Sequence, residues 1–118
     1  MAGRWSAYAY ASSYRARTAY RYAVEDSIYL DHRHVGGGLG QALLAALIER
    51  CERGPWRQMV AVVACTAEGE GAGSLALHER KGFRTVGRLE AVGFKHGQWI
   101  DTVLMQRPLN AGAGTLPD

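Results

Sequence analysis

The sequence contains little cysteine, little proline and no long hydrophobic run, and each shortage excludes a class of protein. Of the 118 residues, two are cysteine and three are proline. Cys51 and Cys65 lack the spacing of a metal site, so we interpret both as reduced thiols and expect no bound metal. No stretch reaches the roughly 18 apolar residues of a membrane span, and the N-terminus lacks the apolar segment of a secretory signal. We therefore expect a cytoplasmic protein with no membrane partner.

Charge is also too unevenly distributed to indicate a nucleic-acid-binding protein. Hydrophobic residues make up 47% of the chain and charged residues 21%, the composition of one globular domain. The net charge is +3, but no acidic residue precedes Glu25, and four arginines lie in that first part of the chain: Arg4, Arg15, Arg17 and Arg21. Without a basic stripe or a recognition motif, this patch suits an anionic or phosphate-bearing small molecule better than a polymer.

Large and small residues alternate near the N-terminus and predict two paired strands. The first covers Trp5–Ala11 and places Tyr8 and Tyr10 on one face. Ser12–Thr18 is polar and basic, as expected of a connection. Tyr20–Leu30 is rich in aromatic and β-branched residues and predicts the second strand.

A glycine-rich turn, His34–Gly40, follows these strands and leads into a helix. Apolar residues at helical spacing predict that this helix covers Gly38–Arg53, with Gly54 and Pro55 ending it. The continuous apolar run Met59–Ala64 predicts a strand that is covered on both faces.

Capping residues define a second, shorter helix, Leu75–Lys81, with Ser74 as its N-cap and Gly82 just beyond its C-terminus. The closing strands are predicted at Phe83–Arg88, Val92–Lys95 and Trp99–Gln106, with a tight hairpin at His96–Gly97. Asn110–Asp118 is predicted to be a flexible tail after a domain of residues 1–109. The order β-β-α-β-α-β-β indicates an α/β domain of three layers with a mixed sheet.

The glycine turn is suited to bind phosphate, because glycine N–H groups approach a ligand closely and a helix N-terminus is electropositive. A nucleoside-triphosphate loop requires Lys and Ser or Thr after its last glycine, and none follows Gly40. A dinucleotide loop requires glycine at a position that here is Gln41 or Leu43. A flexible connection that binds nothing remains the alternative.

Six segments occur in the order found in one enzyme family: Val24–Tyr29, Gly38–Leu44, Arg57–Val63, Ser74–Glu79, Gly82–Phe83 and Gly93–Asp101. Over about residues 5 to 109 the chain resembles the GNAT N-acetyltransferases, in particular the phosphinothricin and methionine-sulfone acetyltransferase branch. The resemblance implies the three-layer GNAT fold without its N-terminal strand, two helices and second strand. It also shows departures: Val35 stands where the family has Arg or Gln, and Gly71 where it has Asn.

The implied reaction transfers acetyl from acetyl-CoA to the α-amino group of a small amino-acid-like acceptor of the phosphinothricin or methionine-sulfone class. The amine attacks directly, without an acyl-enzyme or a metal. The alternative is a truncated, weakly active or inactive remnant that binds CoA. We expect acetyl-CoA to bind more weakly than in the family, since Val35 removes one charge-assisted contact.

The resemblance assigns roles to particular residues. Glu25 is the candidate base for the amine, with a surface salt bridge as the alternative. His78 is the candidate acid for the leaving thiolate, with a packing role as the alternative. The residues expected to bind the cofactor are Tyr29, Leu30, Gly36, Gly37, Gly38, Leu39, Gly40, Gln41 and Ser74. Those expected near the acceptor are Arg17, Tyr20 and Trp99.

The elements missing relative to the family would leave the Trp5–Ala11 strand with one unpaired edge and one sheet face uncovered. Exposed edges pair with other chains unless charge or proline prevents it. We therefore predict self-association, most simply a symmetric antiparallel homodimer through this strand.

Overall fold

The computed structural model describes residues 7–30 and 38–117, which form one five-stranded mixed sheet with helices packed on it. The strands are β1 (Ala7–Ser13), β2 (Ala23–Leu30), β3 (Gln58–Cys65), β4 (Arg84–Lys95) and β5 (Gln98–Pro108). The helices are α1 (Leu39–Glu52) and α2 (Ala72–Arg80), and a 3-10 turn covers Thr18–Tyr20. The strands lie in the order β1-β2-β3-β5-β4, and β2 and β3 run parallel while the other pairs are antiparallel. The predicted element order and mixed sheet are confirmed.

Both helices cover the same face of the sheet. Along β3, Met59, Ala61, Val63 and Cys65 are buried in one apolar cluster with residues of α1, whereas Val62 is 44% exposed. The prediction that this strand is covered on both faces is wrong. An unbroken apolar run does not report how many layers pack on a strand, and in the described residues only one layer of helices packs on β3.

The uncovered face carries an aromatic cluster. Tyr8 and Tyr10 of β1 are both exposed on it, as the alternation predicts. Tyr8 stands opposite Tyr29 of β2, and their rings stack with centroids 5.3 Å apart. β1 is also the terminal strand of the sheet. Among residues 7–30 and 38–117, this part of the molecule therefore combines a strand edge that has no partner strand with exposed aromatic surface.

Several strand boundaries differ from the predicted ones, by one or two residues in β3 and β5 and by more in the first, second and fourth strands. β1 continues to Ser13, because Ser12 and Ser13 pair with β2. β2 begins at Ala23 rather than Tyr20, since the 3-10 turn occupies the start of that aromatic stretch. β4 is one strand where two were predicted, with irregular pairing between Leu89 and Gly93 that β5 spans.

A carboxylate holds that irregular part of β4. Asp101 of β5 accepts a hydrogen bond from the backbone N–H of Ala91 at 2.8 Å and forms an ion pair with Arg88 at 2.8 Å. Ala91 has a positive φ of 50°. The backbone N–H of Ala91 and the Arg88 guanidinium lower the pKa of the Asp101 carboxyl. Asp101 therefore fixes the hairpin.

For the second helix, the predicted C-terminal end is correct and the predicted N-cap is wrong. Its C-terminus is the predicted glycine end: Gly82 has a φ of 89° and donates to the carbonyl of Glu79, while Phe83 donates to the carbonyl of His78. Its N-cap is Gly71 instead of Ser74, which lies inside α2. The local sequence favours Ser74, but the positive φ of Gly71 lets the helix begin earlier.

Gly71→Ala is expected to lower the free energy of unfolding by roughly 1–3 kcal/mol. Gly71 has a φ of 93°, and a Cβ there would clash with the carbonyl oxygen of Ala64 and lie 2.8 Å from the Sγ of Cys65. Gly73, in the same helix, has open space around its Cβ position. The matched control Gly73→Ala should therefore raise stability by roughly 0.5–1 kcal/mol. Urea unfolding measures both, and equal stabilities would contradict this helix start.

The segment after β5 is attached to the domain. Arg57 donates to the carbonyl of Gly112 at 2.8 Å and to the hydroxyl of Thr115 at 2.9 Å. Composition predicts a flexible tail here, but these contacts hold residues 112–116 against the start of β3. Cys51 and Cys65 are both buried free thiols, and burial raises the pKa of Cys51. Neither described helix is long and apolar enough to cross a membrane.

Candidate functional site

The parallel strands β2 and β3 separate partway along their length. They pair only where Ala23–Glu25 faces Gln58–Val60, although both strands continue beyond that point. Past Glu25 and Val60 the two strands are not paired with each other, and a wedge opens between them. A cavity of about 210 Å³ lies in this wedge. Its lining residues are Glu25, Asp26, Ser27, Ile28, Ala61, Val62, Val63, Ser74 and His78.

A larger cleft of about 810 Å³ runs between the N-terminus of α1 and α2. Its lining residues are Ile28, Leu30, Gly38, Gly40, Gln41, Glu70, Gly71, Gly73, Ser74, Leu77 and Arg80. Ile28 and Ser74 line both spaces, so the cleft and the wedge lie next to each other. An elongated ligand fits this arrangement, with one end at the start of α1 and the other beside Glu25.

Gly40 lies where the two helices closely approach each other. A Cβ at Gly40 would lie 3.1 Å from a methyl carbon of Leu30 and 3.4 Å from one of Leu77. Gly38 caps α1 with a φ of 84° and no side-chain hydrogen bond. The first N–H groups of α1 therefore have no side-chain cap and lie beside the cleft, where they suit a phosphate. The residues present fit a phosphate-bearing cofactor such as acetyl-CoA.

The wedge contains a buried ion pair between strand and helix. The Nε2 of His78 lies 2.6 Å from Oδ2 of Asp26, and both side chains are only 4% exposed. The other ring nitrogen, Nδ1, lies 2.7 Å from the carbonyl oxygen of Ser74. The ring of Phe83 packs edge-on against the imidazole, with centroids 4.8 Å apart. Contacts at both ring nitrogens and with the Phe83 ring therefore fix the orientation of the His78 ring.

The hydrogen-bond partners define the protonation state of His78. A carbonyl oxygen can only accept, so Nδ1 donates to Ser74. Nε2 faces a carboxylate oxygen, and a second proton lies between those two atoms. Burial lowers the pKa of His78, but the hydrogen bond and charge of Asp26 and the Ser74 carbonyl outweigh it and raise the pKa above 6.5. Asp26 and the Ser74 carbonyl thus favour the protonated form of His78 beside the wedge.

The stability that this pair contributes should decrease as the pH rises. The pKa of His78 is near 6.5 in the unfolded chain and higher in the folded protein. The contribution is therefore fully present below about 6.5 and is lost as the pH rises through the folded-state pKa. Urea unfolding across this range should show wild type losing stability relative to the double variant Asp26→Leu with His78→Phe, which has no titratable group at this position. A relative gain would contradict the assigned protonation state.

Glu25 lies on the opposite face of β2 from Asp26, half-buried at the point where β2 and β3 separate. It lines the wedge cavity. In residues 7–30 and 38–117 it forms no ion pair, so the salt bridge considered from the sequence is not present there. The structure therefore brings Glu25 and His78 to one cavity. Their catalytic roles stay predictions.

The predicted cofactor residues are only partly brought together. Those that line the cleft are Leu30, Gly38, Gly40, Gln41 and Ser74. Leu39 is half-buried next to them, and Gly36 and Gly37 lie outside the described residues. The side chain of Tyr29 is 45% exposed and stacks on Tyr8, so at most its backbone faces the wedge.

The predicted acceptor residues do not line either space. Tyr20 lies in the 3-10 turn that Arg17 precedes, with its ring against Tyr14. Trp99 is 64% exposed on the β4–β5 hairpin, where it packs edge-on against Phe94. Their part in acceptor binding stays a prediction.

Sequence reasoning missed Asp26 and Arg80. A signal for Asp26 was present: it occupies a core-facing position between Val24 and Ile28, where a carboxylate requires a partner. Arg80 gave no such signal, because a charged residue near a helix C-terminus is common. No group of three or more potential metal ligands occurs within the described part of the chain.

A mixed sheet that splits into a wedge, with a glycine-capped helix at the end of an adjoining cleft, defines a domain that binds an elongated, phosphate-bearing cofactor between its strands. The model of the acetyltransferase (GNAT) domain matches residues 2–104. The chain belongs to this family, as the resemblance predicts.

Individual relatives are consistent with this family. The chain is 53% identical over 116 residues to the phosphinothricin N-acetyltransferase of Alcaligenes faecalis, covering 98% of this chain and 57% of that protein. It is 37% identical over 106 residues to an L-methionine sulfoximine/L-methionine sulfone acetyltransferase of Salmonella typhimurium, covering 90% of this chain and 60% of that one. The chain thus spans little more than half the length of these relatives.

Solved structures agree with the fold. A GNAT superfamily phosphinothricin acetyltransferase from Sinorhizobium meliloti, in complex with AcCoA, superposes with a TM-score of 0.86 at 51% identity. The match covers 95% of this chain and 58% of that one. An acetyltransferase from Salmonella typhimurium with its cofactor acetyl-CoA gives a TM-score of 0.84 at 35% identity, covering 96% of this chain and 62% of that one.

Proposed function

We propose that this chain carries the acetyl-CoA site of an N-acetyltransferase and transfers acetyl to the α-amino group of a small amino-acid-like acceptor. The observation that carries the proposal is that the cleft at the glycine-capped start of α1 adjoins the wedge that Glu25 and His78 line. Family membership supports the reaction class. The printed names of the relatives support an acceptor of the phosphinothricin or methionine-sulfone class.

Each residue of this site has a distinct part in this proposal. The N–H groups at Gly38 and Gly40 bind the phosphates of acetyl-CoA, which supplies the acetyl group as a thioester. Glu25 accepts a proton from the acceptor ammonium, directly or through water, and so frees the attacking amine. His78 lies at the wall of the wedge, where its positive charge stabilises the negative charge on the departing sulfur. Both of its ring N–H groups are engaged by Asp26 and Ser74, so the thiolate takes its proton from water.

Asp26 and Ser74 keep His78 ready for this role. Asp26 is a positioning residue, since it holds Nε2 and supplies the counter-charge inside the domain. The carbonyl of Ser74 holds Nδ1. The residues predicted to contact the acceptor, Arg17, Tyr20 and Trp99, line neither cavity. A pocket for the acceptor that includes them therefore needs further groups. The second candidate is therefore a CoA-binding domain with little turnover, supported by its span of little more than half the relatives' length.

Calorimetry with acetyl-CoA and a CoA-release assay with phosphinothricin, methionine sulfone and methionine sulfoximine test the proposal. Binding together with acceptor-dependent release of CoA is the expected result. Binding without release by any acceptor would favour the second candidate. Absence of acetyl-CoA binding would contradict both.

We further propose that the protein self-associates through β1 as a symmetric antiparallel dimer. The outer edge of this terminal strand has no partner strand among the described residues, and Tyr8 and Tyr10 are 39% and 52% exposed beside it. Unpaired edges flanked by exposed aromatic surface recruit a second chain. The sequence predicts a cytoplasmic location for this assembly.

Tyr8→Lys combined with Tyr10→Lys should shift the protein toward monomer in sedimentation equilibrium, because two added charges per chain repel across the interface. Tyr20→Lys is the matched control, since Tyr20 is equally exposed at 45% but lies outside the sheet. A well-folded monomer at high concentration in the wild type would contradict the proposal.

A further inference from the structure

Ser74 of α2 lies at the junction between the cleft and the wedge cavity. Among the described residues only Ile28 and Ser74 line both spaces, and Ile28 has no polar atom in its side chain. Ser74 is half-buried there. Its hydroxyl is therefore the one side-chain hydrogen-bonding group of the described residues that the two spaces share.

The Ser74 hydroxyl is a donor that has no acceptor within residues 7–30 and 38–117. Its oxygen lies 3.4 Å from Nδ1 of His78, and the same nitrogen lies 2.7 Å from the Ser74 carbonyl oxygen. Because Nδ1 donates its hydrogen to this carbonyl, it has no lone pair with which to accept from the hydroxyl. The Ser74 Oγ receives at most the weaker share of that hydrogen, and its own hydrogen is available to a ligand.

The neighbouring ion pair strengthens this donor. Asp26 lies 2.6 Å from Nε2 of His78, and together with the Ser74 carbonyl it favours the protonated ring. A hydroxyl whose oxygen faces a charged N–H group becomes a better donor, because successive hydrogen bonds polarise one another. Asp26, His78 and Ser74 thus form a chain that ends in an O–H group at the junction.

Under the proposed function the sulfur of acetyl-CoA belongs at this junction. The sulfur joins the acetyl group, which lies in the wedge, to the rest of the cofactor, which lies in the cleft. When the amine nitrogen bonds to the carbonyl carbon, the carbon–sulfur bond breaks and its electron pair stays on sulfur. A fixed donor lowers the barrier most where such charge develops during the reaction.

We propose that the Ser74 hydroxyl donates a hydrogen bond to the departing sulfur and stabilises the thiolate as the carbon–sulfur bond breaks. Ser74 keeps its proton, and the thiolate takes one from water. This inference rests on the proposed function, since it assigns a further catalytic residue to that site. The role differs from holding the cofactor, because the hydrogen bond strengthens only as the sulfur becomes charged.

Kinetics of Ser74→Ala and Ser74→Thr, with Ser13→Ala as the control, test this role. Ser74→Ala should lower kcat roughly ten- to a hundredfold, while its Kd for acetyl-CoA stays within about twofold of wild type. Ser74→Thr keeps the hydroxyl and should retain most of the rate. Ser13 is exposed and lines neither space, so Ser13→Ala should turn over as wild type does. Urea unfolding checks that each variant is folded, and alanine is the better helix former at position 74.

Titration of bound CoA gives a second readout that needs neither an acceptor nor turnover. A donor that faces the sulfur favours the thiolate, whose ultraviolet absorbance follows the ionisation, with protein bound to desulfo-CoA as the blank. Ser74→Ala should raise the pKa of the bound CoA thiol by about one to two, which is the same ten- to hundredfold ratio. Ser13→Ala should leave this pKa unchanged.

Equal kcat in wild type and folded Ser74→Ala overturns this inference and leaves the proposed function intact. An unchanged thiol pKa in Ser74→Ala also overturns it. Weaker acetyl-CoA binding with unchanged kcat does so too, because Ser74 would then only hold the cofactor. If wild type binds CoA but turns over no acceptor, the titration alone decides the role of Ser74. Wild type that binds neither acetyl-CoA nor CoA overturns the proposed function and this inference together.

Discussion

Asp26→Ala is expected to lower the free energy of unfolding by about 3–5 kcal/mol, the cost of leaving one member of a buried ion pair without its partner. His78 would keep an imidazole that is 4% exposed, with Nε2 facing a cavity instead of a carboxylate. Domains of this size are stable by about 5–15 kcal/mol, so the loss would take a large share of the total. Urea unfolding near neutral pH measures it.

Two further variants show whether burial is the reason. Glu49→Ala breaks the exposed ion pair between Glu49 and Arg53, whose side chains are 70% and 74% exposed respectively. It should lower the free energy of unfolding by no more than about 0.5 kcal/mol. Replacing both buried partners, Asp26→Leu with His78→Phe, should recover much of the stability, because apolar side chains of similar size need no counter-charge. A double variant less stable than Asp26→Ala would contradict the buried-charge explanation.

Glu25→Gln is expected to lower kcat for acetyl transfer by about 10²–10⁴-fold while acetyl-CoA affinity stays near that of wild type. The amide keeps the size and hydrogen-bonding capacity of the side chain but cannot accept the ammonium proton. Because Glu25 lines the wedge and not the larger cleft, its substitution leaves the cofactor contacts in place. Steady-state release of CoA, with calorimetry for binding, separates the two effects.

Glu90→Gln is the matched control, an exposed carboxylate on β4 that lines neither cavity and should retain wild-type kcat. If Glu25→Gln turns over as fast as wild type, Glu25 is not the base. If Glu25→Gln lowers both kcat and the urea midpoint of unfolding, the role of Glu25 is structural. A normal midpoint with a reduced kcat supports proton transfer.

The parts of the fold that sequence reasoning predicted correctly are those with a local conformational signature. α1 is flanked by Gly38 and Arg53, close to the predicted ends. The hairpin at His96–Gly97 has positive φ at both residues, as a two-residue turn between twisted strands requires. The N-terminus of α2 was missed because Ser74 has the stronger local capping preference, whereas the choice of Gly71 depends on how the preceding loop crosses Cys65.

In the candidate site, too, the residues within local motifs could be predicted from the sequence, whereas contacts between distant segments could not. The glycine turn and the positions of Glu25 and His78 follow from motifs within single segments, so the sequence is sufficient to propose them. The sequence is not sufficient to identify the partner of His78. Asp26 lies 52 residues earlier in the chain, and no motif around it indicates that it pairs with a histidine. Two charges that lie close only after a helix packs on a strand cannot be paired from spacing alone.

The sequence by itself determined the order of the elements, the family and the glycine-rich start of α1, because these depend on backbone preferences and motifs of a few residues. Only the tertiary structure decided that β2 and β3 part beyond Glu25, that helices cover one face of β3, and that Arg80 faces the cleft. Those features depend on how strands diverge and how helices pack across them. Packing between segments that are distant in sequence produces no pattern of residues within either segment, so the sequence does not predict it.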